Sequence, residues 1–154
     1  MIRKNIIALL ILFSFFLTDI GLSEEGNNFS IERDEPYEIT SENMFIEREQ
    51  KTIGFSGNVI LKQGSAYLTA DQIELFFDNS FSQEGFYKML ASGNILIKNN
   101  ASTSITGNLA TYNVNDEKII MSENVVLKNQ MSMINGNKLI LDINSGKIEI
   151  FDDK

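Results

Sequence analysis

The chain has 154 residues, 21 acidic and 13 basic, with one proline and neither histidine nor cysteine. Without His and Cys there is no imidazole base, no thiol nucleophile, no His/Cys metal site and no disulfide framework. The acidic balance argues against nucleic acid or an anionic membrane surface as partner, since both want clustered Lys and Arg, while the length suits one domain with a real core.

Residues 1–23 read as an export signal: Arg3 and Lys4, an apolar run from Ile6 to Leu17, then the small residues Gly21 and Ser23 ahead of Glu24. A spanning helix wants about 20 apolar residues, and Asp19 interrupts this run too early. Cleavage after Ser23 leaves 131 residues with net charge −9, expected to be exported and soluble. The alternative is a leader kept as an anchor, because Ile20 and Leu22 extend the run. Residues 24–36, EEGNNFSIERDEP, are polar, acidic and without periodicity, which predicts a mobile N-terminal segment.

From Tyr37 to Lys154 the text is β throughout, with short alternating runs of Ile, Val, Phe, Tyr and Thr between turn formers such as Gln63-Gly64, Asn115-Asp116 and Asn144-Ser145-Gly146. No stretch keeps a 3.6-residue period. A first motif occurs four times, as ITSENMFI from Ile39, LTADQIEL from Leu68, ITGNLATY from Ile105 and INGNKLIL from Ile134, at offsets of 29, 37 and 29 residues. A second motif alternates with it three times, as SGNVILK from Ser56, SGNILIK from Ser92 and SENVVLK from Ser122. The middle interval is longer because of an insertion around Asp78 to Gly85, and the chain stops at IEIFDDK, where a fourth copy of the second motif would start.

Each copy of the first motif has an apolar first position and its next inward residues five and seven positions later, for example Leu68, Ile73 and Leu75. Odd separations on a strand point to opposite faces, so a step of five requires a bulge or corner at Ala70-Asp71, Gly107-Asn108 and Gly136-Asn137. The second motif carries Gly57-Asn58 and Gly93-Asn94 at the corresponding place. Glu123 in its third copy argues against a strict need for glycine there. Long bulged strands joined by short turns predict an all-β fold, a twisted antiparallel β-jelly roll built from four repeats that forms an open, two-walled trough.

The runs PYEITSE, SGNVILKQG, LTADQIEL, SGNILIK, ITGNLATYN and INGNKLILD resemble, in order and spacing, the OstA-like domain of the periplasmic lipopolysaccharide-transport protein A family, over residues 36–150. The resemblance implies a V-shaped interior that shields lipid acyl chains. It also implies a periplasmic location, head-to-tail joining of copies by edge-strand pairing, and bridging between inner-membrane-anchored and outer-membrane partners. The chain ends at Lys154 without a long polar tail, so its last strand is expected to stay available.

Binding acyl chains needs a dry apolar wall and no catalytic group, because each methylene removed from water contributes about 0.8 kcal/mol. The predicted wall is Phe55, Val59, Leu61, Ile73, Leu75, Phe77, Ile95, Ile97, Tyr112, Val125, Leu127, Leu139 and Leu141. Alternating aliphatics on strands also serve as plain core. Lys62, Lys98 and Lys128, which follow the second motif at one position, are the possible phosphate contacts; the competing role is to guard strand ends against aggregation. Asp71 with Glu74 resembles a glycosidase pair only superficially, since solvated-surface or bulge-stabilising roles explain such carboxylates better. No nucleophile elbow, EF-hand loop or other metal or cofactor signature is present. The expectation is a lipid-binding transport protein, not an enzyme. The alternatives are an inner-membrane-anchored bitopic partner of the same system and a generic exported β interaction module, the latter poorly equipped with aromatics for carbohydrate.

Overall fold

The computed structural model describes residues 29, 31–32, 34–78, 85–99 and 102–152. The expected leader lies outside them, and no helix among the described residues is long and apolar enough to cross a membrane. The strands are β1 (Tyr37–Thr40), β2 (Asn43–Glu47), β3 (Thr52–Gln63), β4 (Ala66–Phe76), β5 (Lys88–Lys98), β6 (Ser104–Asn113), β7 (Lys118–Lys128), β8 (Met133–Asp142) and β9 (Ile148–Phe151). All belong to one antiparallel sheet of order β1-β3-β4-β5-β6-β7-β8-β9, with β2 pairing the other half of β3. Each strand from β4 to β8 pairs only with its neighbours in sequence, as turns such as Gly64-Ser65 require, while β3 pairs β4 on one side and both β1 and β2 on the other.

The repeats map onto the strands one for one. First-motif copies are β4, β6 and β8, with β1 and β2 together forming a fourth copy that breaks at Ser41-Glu42; second-motif copies are β3, β5 and β7. The register shifts where the motifs place their polar centres, between Ser56 and Val59, Ser92 and Ile95, and Ser122 and Val125. The extra residue sits on β3, β5 and β7, where the left-handed pairs are Gly57-Asn58, Gly93-Asn94 and Glu123-Asn124. The first-motif strands turn their inward face without any left-handed residue: burial follows Ala66, Leu68 and Ala70, then switches to Ile73 and Leu75. The corner expected in those strands is present, and the bulge that makes it is on the neighbour.

Glu123 does not relax the conformational demand. Its φ is 64°, against 81° at Gly57 and 76° at Gly93, so a side chain is carried in a region that favours glycine. Two of the three bulges are also clamped by an acid from the preceding copy of the first motif. Asp71 Oδ2 accepts a hydrogen bond of 2.8 Å from Asn94 Nδ2, Glu42 does the same for Asn58, and the Glu42 N–H donates to the Gly57 carbonyl at 3.0 Å. Of the two roles the sequence left open for Asp71, solvated surface or bulge stabilisation, the structure shows the second.

The corners divide the sheet into two walls. The first comprises β1 and residues 59–63, 66–70, 95–98, 104–107, 125–128 and 133–136; the second comprises β2, β9 and the other strand halves. Val59, Ile95, Ile97, Ile105 and Val125 from the first wall and Ile73, Leu75, Met121, Leu139 and Leu141 from the second are buried in a single cluster, so the walls face one another. Phe29, from the segment expected to be mobile, is also in that cluster at 1% exposure.

Candidate functional site

The site is the space between the walls, and strand alternation builds it. On the first wall the inward row across the strands runs Ile39, Leu61, Leu68, Ile97, Ile105, Leu127, Ile134, each pair directly opposite in the register. The matching row on the second wall runs Met44, Phe55, Ile73, Ala91, Ala110, Met121, Leu139, Ile150. With neighbouring strands about 4.8 Å apart, each row extends about 30 Å. It carries no charged residue along its length. Gly107 belongs to the same inward face opposite Ile95, and the Met121 side chain fills the place of its missing Cβ, with Cγ and Sδ at 2.7 Å.

The structure brings all the predicted wall residues to this inner face. Val59, Leu61, Ile95, Ile97, Val125 and Leu127 stand on the first wall; Phe55, Ile73, Leu75, Tyr112, Leu139 and Leu141 stand on the second, and Phe77 follows β4. All are either buried or packed against the buried cluster. Sequence reasoning left out Leu68, Ile105, Met89, Ile119 and Met121, although their alternation with assigned neighbours was a usable signal. It also left out Phe29, Ile31 and Phe86, which come from irregular segments where no period exists to be read.

Between the outer margins of the walls is a cavity of about 590 Å³, a size typical of ligand sites. Leu61, Leu68 and Ile97 line it from one wall, Tyr112 and Ile119 from the other. Phe86, in the return from the insertion, lies between them: its ring meets Tyr37 edge-on at 5.7 Å and Tyr112 at 6.2 Å. Asp34, Glu35 and Glu117 are the acids at this mouth.

The three lysines are elsewhere. Lys62, Lys98 and Lys128 share one cross-strand row with Glu38, Tyr67, Ser104 and Met133, on the outer face, each adjacent to an inward Leu61, Ile97 or Leu127. Two strands separate each from the next, about 10 Å. Among the described residues no group of acidic side chains forms a metal site.

Among the described residues both ends of the sheet are open. At the first end the inward Met44 and Ile46 are 61% and 53% exposed, and at the other end the inward Ile134 is 46% exposed beside Met133 at 64%. β9 pairs only residues 138–141 of β8 and its Ile150 and Phe151 lie against Gly136, so residues 133–135 present a bare edge among the described residues.

Comparison with protein families matches residues 38–147 to the family described as the LptA/(LptD N-terminal domain) LPS transport protein, more than two thirds of the chain. The chain belongs to the LptA/LptD N-terminal family. This is a family of transport proteins and not of enzymes. The LptA-type fold is also seen in a solved structure: LptH, the LptA-homologous periplasmic component of the lipopolysaccharide transport device of Pseudomonas aeruginosa, is similar with a TM-score of 0.67 at 16% identity, covering 79% of this chain and 85% of that one. No curated protein matches the sequence. The resemblance read from the repeats and the twisted β-jelly-roll architecture are both borne out.

Proposed function

We propose that this LptA-family chain is a periplasmic bridge segment that shields lipopolysaccharide acyl chains between its walls and passes them from the inner towards the outer membrane. The observation that carries this is the pair of continuous apolar rows, about 30 Å long and open at both ends. Ligand binding of this kind needs burial of methylenes and nothing else, at about 0.8 kcal/mol each. A net charge of −9 in the mature part offers no long-range attraction to lipid phosphates, so the tails hold the ligand. Lys62, Lys98 and Lys128 stand outside the trough and play at most a local part at its margin.

The same open ends support head-to-tail assembly with further copies and with the membrane-anchored and outer-membrane components of the bridge. An exposed Met44/Ile46 edge at one end and an exposed Ile134 edge at the other can continue the rows from one subunit to the next by strand addition. The periplasmic assignment is supported by the leader-like start and by the location stated for LptH.

Photo-crosslinking amino acids at Leu75, Ile97 and Leu127, introduced in cells, test the acyl-chain reading. Adducts with lipopolysaccharide are expected at all three. Their absence, with the fold intact by circular dichroism, refutes it in favour of a generic exported module.

A further inference from the structure

The stretch before β1 is acidic, yet it holds two apolar residues, Phe29 and Ile31, two positions apart. Phe29 is 1% exposed within the same buried cluster as the trough residues, and Ile31 packs on that cluster and lines the cavity at the mouth. Neither belongs to a strand, so no ladder of backbone bonds fixes them there. The stretch is tied to the sheet a few residues later, at the β3–β4 turn. The Ser65 N–H donates to Glu32 Oε2 at 3.0 Å, and Gln63 Nε2 donates to the Glu35 carbonyl at 3.0 Å. A root held by two hydrogen bonds, with two apolar side chains just upstream of it in the interior, is the geometry of a plug that can leave while its root stays attached.

We infer that Phe29 occupies acyl-chain space in the unloaded protein and is expelled when lipid enters, a regulation of the trough that rests on the acyl-chain reading above. The exchange favours lipid, because one ring gives way to a chain of many methylenes. The plug keeps apolar surface dry when no lipid is bound, at the expense of apparent affinity, since lipid binds only the fraction of molecules with the plug out.

Two variants test this. The sequence contains no tryptophan, so Phe29→Trp in the full mature chain introduces a single reporter with a side chain that fills the site. Its emission should be blue-shifted and shielded from acrylamide, and saturating dodecanoate should raise the quenching constant severalfold. Phe29→Ser removes the plug, and its affinity for the fluorescent fatty acid cis-parinaric acid should exceed that of the native chain by about tenfold. Residue 29 lies outside every strand, so a cooperative thermal transition is expected to persist; the tryptophan variant gives its answer independently if it does not. Equal affinity of both chains, or a tryptophan that stays shielded in the loaded protein, overturns the plug and leaves the acyl-chain reading standing. Failure of either fatty acid to bind any of the chains overturns both.

Discussion

The three bulges offer a test of what bends the sheet, because one chain carries the same backbone state with and without glycine. At Gly93, φ is 76° and a Cβ would come within 2.8 Å of the Asp71 carboxyl carbon, whose oxygen accepts the Asn94 side chain at 2.8 Å. Gly93→Ala therefore places an L residue in the left-handed region, at about 1–2 kcal/mol. It recovers about 0.4–1 kcal/mol from the stiffer unfolded chain. It also displaces Asp71, weakening a hydrogen bond worth about 0.5–1.5 kcal/mol, at the low end because the pair is exposed. The net is about 1–2 kcal/mol of destabilisation, or a fall in Tm of about 3–10 °C for a domain of this size. Glu123 holds the equivalent position at φ 64° and is exposed, so Glu123→Gly reverses the first two contributions and should stabilise by about 0.5–1 kcal/mol. Thermal unfolding by circular dichroism measures both, and Gly93→Ala in an Asp71→Ala background isolates the contribution of the carboxylate as a coupling energy. A Tm unchanged by Gly93→Ala, or lowered by Glu123→Gly, would show that the bulge is dictated by the strands around it and not by its own two residues.

Other expectations concern packing, assembly, charge and pH. Ile73→Ala and Leu139→Ala, both at fully buried sites, should each cost about 2–5 kcal/mol in urea unfolding, while Met131→Ser at 96% exposure should stay within about 0.5 kcal/mol. Ile134→Glu should abolish concentration-dependent assembly in sedimentation velocity without a comparable loss of stability; assembly unchanged by the charge would refute edge addition at β8. Reversing Lys62, Lys98 and Lys128 to Glu should leave lipopolysaccharide adducts at Leu75 at native yield, and a loss of about tenfold or more would restore their phosphate role. The Ser145 backbone N–H, followed by its hydroxyl, holds the Asp142 carboxyl below its ordinary 3.8, so the folded state takes up this proton later than the unfolded one. The stabilisation is complete above 3.8 and is lost as pH falls through the lowered folded value, so Asp142→Asn should flatten the fall of Tm between about pH 5 and 2. An acid limb identical to that of the native chain would show that this turn plays no part in it.

The architecture was legible because period and punctuation agree. Leu68, Ile73 and Leu75 force a change of face within one strand, and Gly93-Asn94 in the adjacent motif supplies the residue pair that makes it, so the corner follows from one-dimensional text. What the text does not fix is which strand of a pair carries the extra residue. Asn108 and Asn137 tolerate a left-handed backbone as well as Asn58 and Asn94 do, and only the register shows that they are spared it. Glu123 shows the same limit: the position has no strict need for glycine, as expected, yet it is left-handed all the same, since composition reports the residue chosen and not the conformation imposed on it. The trough wall was legible wherever alternation ran unbroken. Phe29, Ile31 and Phe86 were not, because each reaches the interior from a segment with no period, and their burial depends on an opening that exists only once both walls are in place.

A sheet whose strands pair only with their sequence neighbours has an arithmetic that bears on transport. Each added strand lengthens both apolar rows by about 4.8 Å and leaves the ends as open as before. Eight strand positions give about 30 Å, close to the hydrocarbon thickness of one bilayer and too short to reach between two. Among the described residues nothing closes the rows, and exposed Met44, Ile46 and Ile134 are apolar surface left at their ends. In the proposed assembly another copy added in register would bury those side chains and lengthen the dry path in one step. The features that are a liability for an isolated β protein, bare edges and exposed apolar termini of the sheet, are therefore the ones a bridge requires. The clamped bulges matter for the same reason: in the proposed bridge, the angle at which one subunit presents its walls to the next would be set where Glu42 and Asp71 hold two of the corners.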